Sequence, residues 1–267
     1  MTKRSRRELM GYASGMVLLV GSVVWAQPAD KHEEKKSPAP KADTAEKTSE
    51  AQRELDAAEA LYKSAKTYQD KGEVKKEFMT RPAHEATRPF STAFERDGRF
   101  RWEFRDSGRM GEQYTVWSKD QKSFDSHWTL GDKHTRQSSM DMAMAGPTGI
   151  SGGSATVVIP LLRGETAGFA TTHLTEPALA GKENVDGVDC TKVVGKGFGG
   201  SAVTLWLDQK HAIRKVFEVR EIDPSKIPLP NGEKQNTAKF TVHTTITLTP
   251  IFDEKIDDKQ FEPPAKK

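Results

Sequence analysis

The sequence contains one cysteine, Cys190, among its 267 residues. An internal disulfide and a zinc site built from several thiolates are therefore excluded. Cys190 lies in an apolar alternation at 188–193, which predicts a buried and unreactive thiol. The sequence also lacks a large excess of one charge sign. Its formal net charge is +3, and four of its basic residues are concentrated within positions 3–7. Near-neutrality beyond residue 26 argues against a dedicated nucleic-acid binder.

Only one long apolar run is present, at 10–25, and it follows a basic start. Val24-Trp25-Ala26 then offers suitable residues for cleavage before Gln27, so the pattern predicts a secretory signal peptide over 1–26. We therefore expect an exported, periplasmic protein. An uncleaved N-terminal membrane anchor is the alternative, although the run is short for a spanning helix.

The stretch 27–47 has no aliphatic side chain larger than alanine and is rich in Lys, Glu and Pro. Such a segment cannot bury enough apolar surface to offset the entropy of ordering it. We predict a disordered, charge-balanced linker here, followed by one folded domain over 48–264.

The domain begins with a predicted helix. Ser49 and Gln52 resemble a capping box, and an apolar stripe follows at three- and four-residue steps. The stripe consists of Leu55, Ala58, Tyr62 and Ala65, with Leu61 beside it. This helix needs an apolar partner surface.

After Tyr68 the apolar period changes from helical to two. Phe100, Trp102 and Phe104 alternate with charged residues, and Asp97-Gly98 just before them is a hairpin signal. The pattern recurs to residue 248 and predicts nine to eleven strands joined mostly by hairpins. The expected fold is mainly β (α+β): a curved antiparallel sheet, or unclosed β-barrel, with an N-terminal helix.

Residues 138–163 interrupt the strands. This insert carries Met140, Met142 and Met144, then Pro147 and several glycines, and then an apolar stretch to Leu162. The composition predicts two short helices separated by Pro147 and the glycines, too broken to span a membrane. We expect these helices to form a lid over the concave face of the sheet.

The order of these elements resembles the LolA/LolB-like periplasmic lipoprotein-carrier superfamily, particularly its exported members of unassigned function. Local sequence agrees at Gly98-Arg-Phe100-Arg-Trp102 and at the closing Phe261-Glu-Pro263-Pro264. The resemblance implies an unclosed barrel whose concave face binds acyl chains. It also implies a lid-latching arginine six residues before the tryptophan, which is Arg96 here, although Asp97 stands where the family has proline.

The residue pattern and the resemblance together predict a non-catalytic carrier or sensor of a lipid or lipoprotein acyl chain. Burial of each methylene contributes about 0.8 kcal/mol, and apolar inward positions could supply it. The predicted ligand-binding residues are Phe100, Trp102, Phe104, Met140, Met142, Met144, Leu205 and Leu207. Core packing is the competing interpretation for each of them. A monomer, with an envelope protein as a possible partner, is expected.

Chemistry-bearing motifs are weak. None of the seven histidines has a His-Glu-x-x-His spacing, so no metal and no cofactor are predicted. Gly149-Ile-Ser151-Gly-Gly matches the letters of a nucleophile elbow but lacks a preceding buried strand. We therefore predict no enzyme. Two alternatives stay open: an envelope interaction module with a filled core, and a serine hydrolase using Ser151.

Overall fold

The computed structural model describes residues 42–80, 82–106, 111–164, 170–226 and 238–264. The predicted signal peptide and most of the predicted linker lie outside the described residues. Among the described residues, none of the helices combines the length and apolarity that a membrane-spanning helix needs.

Helix α1 (Ala42–Ser64) begins earlier than the sequence pattern indicated. Ser49 and Gln52 lie inside the helix, so the predicted capping box is wrong, and Gln52 instead donates to Asp56. The alanine-, glutamate- and lysine-containing stretch before Ser49 has enough helix propensity to extend α1 into the predicted linker. The predicted apolar stripe is confirmed, because Leu55, Ala58, Tyr62 and Ala65 are all buried.

The strands form one antiparallel sheet. They are β1 (Thr67–Phe78), β2 (His84–Glu95), β3 (Phe100–Arg105), β4 (Gln113–Ser118), β5 (Phe124–Trp128), β6 (Lys133–Gln137), β7 (Thr175–Val185), β8 (Val188–Lys196), β9 (Ala202–Asp208), β10 (Ile213–Ile222), β11 (Phe240–Leu248) and β12 (Ile251–Phe252). Short 3₁₀ helices cover Phe198–Gly200, Pro224–Lys226 and Asp258–Phe261.

The strand order across the sheet is β6-β5-β4-β3-β2-β1-β11-β10-β9-β8-β7, with β12 pairing beside β1. Each half is therefore a run of consecutive hairpins, and β11 joins the halves by pairing with both β1 and β10. Strands β6 and β7 end the sheet within the described chain, so it is open. The predicted fold class, a mainly β protein with an unclosed antiparallel sheet, is confirmed.

Period-two alternation gives the sheet an inner and an outer face. Phe90, Phe94 and Phe104 point inward with Trp102 and contribute to one large apolar core. Gly72 is required at the centre of β1, because a Cβ there would lie 2.3 Å from the ring of Phe90. The Phe90 side chain thus crosses β1 at the one position without a side chain, which lets the sheet curve tightly around the core.

The insert between β6 and β7 forms α2 (Met140–Ile150), α3 (Ser154–Val157) and α4 (Ile159–Arg163). Ser139 caps α2 by accepting from the Met142 amide. Pro147 lies inside α2 rather than between helices, so that part of the prediction is wrong. The chain breaks instead at Gly152 and Gly153, whose φ angles of 72° and 112° suit glycine. We refer to 139–164 as the lid.

The lid packs onto the inner face of the sheet. Its buried side chains, including Met140, Met144 and Leu162, belong to the same core as Trp102. Asp141 of α2 forms an ion pair with Arg163 of α4, which closes the lid on itself. Helix α1 contacts both α4 of the lid and strand β7.

Candidate functional site: the lid groove

A groove of about 420 Å³ opens between the lid and the second half of the sheet. Its volume falls within the range of about 300–1,000 Å³ usual for small-molecule sites. The apolar part of its wall comes from the lid, the inner faces of β9 to β11 and two neighbouring loops. These residues are Val157, Leu174, Phe198, Val203, Val216 and Ile246. We call this feature the lid groove.

Alternation along the strands produces this wall. Val216 pairs with Ile246 of β11 and with Leu205 of β9, so the inward positions of three strands stand side by side. Val216 and Ile246 are almost fully buried, whereas Phe198 on the rim is 67% exposed. The groove therefore has an apolar floor and an open, aromatic edge.

The hinge of the lid forms the opposite wall. Gly149, Gly152 and Gly153 line the groove, and the backbone approaches the floor closely there. A Cβ on Gly152 would lie 2.9 Å from Val74, and a Cβ on Gly153 would lie 3.4 Å from Ile246. The glycines thus let the lid turn tightly above the sheet without filling the space beside it.

A second cavity, of about 340 Å³, lies on the other side of the hinge. Phe104, Trp128 and Ile150 line it together with charged groups from β1 and β2. Lys76, Gly149 and Gly152 line both cavities, so Lys76 stands between them. A third hollow of about 520 Å³ is lined mainly by polar residues, among them Gln69, Lys71 and Arg101, and offers little apolar surface to an acyl chain.

The predicted ligand-binding residues are mostly packed in the core. Phe100, Trp102, Leu205 and Leu207 are fully buried, and Met140 and Met144 nearly so. Only Phe104 lines one of these cavities, the second one. Met142 points outward from α2 and is 60% exposed, because residues two apart on a helix face different directions. Access to the core set therefore requires the lid to lift.

Arg96 lies where three elements meet. Its guanidinium donates to the carbonyls of Tyr62 and Ala65 at the end of α1 and to the Leu162 carbonyl in α4. It also lies 5.0 Å from the ring centre of Phe94. The adjacent turn is the predicted hairpin, with Asp97 at a φ of 37°. One side chain thus connects the β2–β3 turn, α1 and the lid.

Sequence reasoning missed the charged groups that line the lid groove, which are Glu218, Arg220 and Lys76. Lys76 lies on β1. It follows Val74 and precedes Phe78 on the inner face of β1, a charged residue in an apolar alternation. Burial lowers the pKa of its ammonium group, and nearby Arg88 lowers it further. Inward-pointing charge in a strand was the available signal, since such a residue is rarely tolerated without purpose.

Asp70 is a second buried charge on the inner face of β1. Its carboxylate accepts from the Tyr68 hydroxyl at 2.7 Å, and the side chain is only 4% exposed. Burial raises its pKa to about 6, although contacts with Tyr68 and Thr92 act in the opposite direction. It lies beneath α1 near Tyr62, away from the lid groove.

The two remaining candidates from the sequence, Ser151 and Cys190, are packed inside the fold and lie outside the cavities. Ser151 is fully buried and its hydroxyl accepts from the Ala155 amide. Burial raises the pKa of the Cys190 thiol, which matches the predicted inert role. Neither residue lines any of the three cavities within the described part of the chain.

A histidine pair that the sequence spacing did not reveal lies on the β5–β6 hairpin. His127 and His134 pair across the strands and stack at 4.0 Å between ring centres. Asp132 lies 2.9 Å from His127 Nε2 and 3.5 Å from His134 Nε2. Cross-strand register brings these groups together, so a search for helical ligand spacings could not find them.

No protein-family model matches the sequence, and no curated protein matches it. Solved structures do. MucB matches over 81% of this chain at 12% identity with a TM-score of 0.45, and this chain spans 64% of the MucB chain. LprF from Mycobacterium bovis matches over 82% of this chain and 98% of its own, at 12% identity and a TM-score of 0.45.

A further match is a LolA superfamily protein from Nitrosomonas europaea, at 14% identity and a TM-score of 0.31, covering 80% of this chain and 97% of that one. All three likenesses are of fold alone. One of these three similar structures thus bears the name of the LolA superfamily.

Proposed function

We propose that this protein binds a single acyl chain non-catalytically in the lid groove, as an exported carrier or sensor. The observation that carries the proposal is the apolar floor formed by Val203, Val216 and Ile246 beneath a glycine hinge. Each methylene that leaves water for this floor contributes about 0.8 kcal/mol. The signal peptide predicted from residues 1–26 supports an envelope location.

Arg96 serves this function as the latch of the lid. Its bonds to α1 and α4 hold the lid against the sheet when the groove is empty or holds a short chain. Release of these bonds would expose Trp102 and the other buried aromatic residues to a longer acyl chain. The predicted ligand-binding set then forms a second layer that becomes accessible only in the open state.

A bulky side chain on the groove floor is expected to block binding. Val216→Trp should weaken the binding of a fluorescent polyene fatty acid by at least about tenfold, because the added ring occupies space that a guest needs. Titration of the probe, with fluorescence enhancement as the readout, gives the dissociation constant of each variant.

Val219→Trp is the matched control, since Val219 lies on the same strand but on the outer face. It should bind the probe as the parent chain does. Circular dichroism melting establishes that both variants fold, and Thr156→Phe at the groove wall replaces Val216→Trp if that variant does not. Equal binding by the inner-face and outer-face variants would place the acyl site elsewhere.

An interaction module of the cell envelope is the second candidate. It is favoured by the filled interior beneath α2 and α4, where Met140, Met144 and Leu162 occupy the space over the sheet. Under this proposal the outer surface, including exposed Met142, recognises a protein partner. Native mass spectrometry separates the two, because a carrier purified from the envelope retains lipid and a module does not.

A further inference from the structure

We infer that the lid groove selects an acyl chain with a carboxylate head group, which pairs with the ammonium of Lys76. The inference rests on the proposed acyl-chain function and adds the chemistry of the head group to it. Its basis is a lysine that lies between two cavities and has no carboxylate partner within ion-pair distance in the described residues.

The charged groups around Lys76 are otherwise paired. Arg88 lies 3.7 Å from Asp106, and Arg220 lies 2.5 Å from Glu218. Glu112 also lines the second cavity, but it is not in ion-pair contact with Lys76. Glu218 attracts the Lys76 ammonium from beyond ion-pair distance. Among these three cations of the described chain, Lys76 is therefore the one without a carboxylate in direct contact.

Lys76 is half-buried. A charge that is partly removed from water without a partner in contact is costly, and a ligand of opposite charge would compensate for it. The Lys76 stem packs near the hinge, since a Cβ on Gly152 would lie 3.4 Å from its Cε. The ammonium is thereby held at the wall of the groove while the apolar floor extends away along Val216 and Ile246. This arrangement matches an amphiphile with a charged head and a single tail.

The number of charges favours a carboxylate over a phosphate. One ammonium balances the single charge of a fatty acid, whereas a phosphate monoester carries about −1.5 to −2 at neutral pH. The neighbouring carboxylates Asp106 and Glu218 would repel the additional charge. A neutral ester would supply no charge to pair with Lys76.

The experiment compares a fatty acid, its methyl ester and a lysophosphatidic acid of the same chain length, each displacing the fluorescent probe. The acid should bind about tenfold more tightly than the ester, the size expected of one charge-assisted contact. Lys76→Gln should abolish this ratio while ester binding is kept. Lys75→Gln, on the opposite face of the same strand, should leave the ratio unchanged.

The outcomes separate the two proposals. If the protein binds neither the acid nor the ester, the acyl-chain function itself is contradicted. Equal binding of acid and ester, or an acid preference that survives Lys76→Gln, overturns the head-group inference and leaves the function in place. Tighter binding of the phosphate than of the acid also overturns the assignment of a carboxylate.

A separate observation carries a second inference: the structure assigns a Zn²⁺-binding site to the β5–β6 hairpin. The ligand atoms of His127, Asp132 and His134 all lie within 4.8 Å of one another. Imidazole nitrogen and carboxylate oxygen are usual zinc ligands, and in a tetrahedral site they lie about 3.3 Å apart. Small rotations of the exposed Asp132 and His134 side chains would close the remaining distance.

The hairpin prepares this site before a metal arrives. Register fixes His127 opposite His134, and the turn holds Asp132 at a φ of 48° beside both rings. Water would complete the coordination of an ion held by three protein groups.

Calorimetric titration of untagged protein with zinc chloride tests the assignment. One ion per chain should bind, and His134→Ala should remove the one-to-one binding heat. His243→Ala, another histidine of the outer face that contacts Phe217, should retain it. Equal heats from both variants, or no saturable heat from the parent chain, would overturn the zinc assignment.

Discussion

Replacing Arg96 by alanine is expected to lower the free energy of unfolding by about 3–4 kcal/mol, the sum of several charge-assisted hydrogen bonds. Three carbonyl groups, those of Tyr62, Ala65 and Leu162, lose their donor in this variant. The C-terminal end of α1 and helix α4 then lose the hydrogen bonds through which Arg96 connects them. The lid should therefore open more often. Urea unfolding measures the first effect and hydrogen exchange of the lid amides the second.

Arg105→Ala is the appropriate control, because Arg105 is 63% exposed and its ion pair with Glu103 is long. Its effect should stay below about 1 kcal/mol, as for surface ion pairs generally. The loss of unfolding free energy in Arg96→Lys should fall between the losses in Arg96→Ala and Arg105→Ala. A lysine ammonium lacks the planar fork of donors with which a guanidinium reaches three carbonyls. Unchanged lid exchange in Arg96→Ala would contradict the latch.

Asp70→Asn is expected to stabilise the protein at pH 7 by about 1–3 kcal/mol, from a pKa difference of about two units. In the folded chain the pKa of Asp70 is raised from 3.8 to about 6 by burial. Between pH 3.8 and about pH 6, the folded state therefore binds more protons than the unfolded state. Stability of the parent chain therefore falls as the pH rises from about 4 to about 6, and the cost is complete above that range.

The advantage of Asp70→Asn should consequently vanish below about pH 4, where both states of the parent chain are protonated. The amide oxygen of asparagine can still accept from Tyr68, so the local packing is kept. Asp56→Asn, at an exposed position on α1, should shift the unfolding free energy by less than about 0.5 kcal/mol at any pH. A destabilised Asp70→Asn at pH 7 would show that the charged form contributes to the fold.

Periodicity made the elements predictable. The inward residues of β3, the buried stripe of α1 and the hairpin at Asp97-Gly98 depend on neighbours two to four positions away, which a sequence displays directly. The start of α1 and the break in the lid were misplaced. Helix propensity before Ser49 decided where α1 begins, rather than the capping signal at Ser49. The conformations of Gly152 and Gly153 decided where the lid breaks, rather than Pro147.

The candidate site was less predictable. An apolar inward residue has the same sequence signature whether it packs under a lid or lines a groove, so Leu205 and Val216 could not be distinguished in advance. Lys76 was detectable as a charge in the apolar alternation of β1. The His127–His134 pair was not, because only the register of β5 against β6 makes the two rings neighbours.

Composition and local period by themselves determined the export signal prediction, the predominance of strands, the lid insert and the absence of disulfide chemistry. The tertiary structure alone decided where the interior is solid and where it is hollow. That distinction depends on how far the lid reaches across the sheet before Gly152 and Gly153 turn it. It is a property of packing between residues far apart in the chain, and no short-range pattern encodes it.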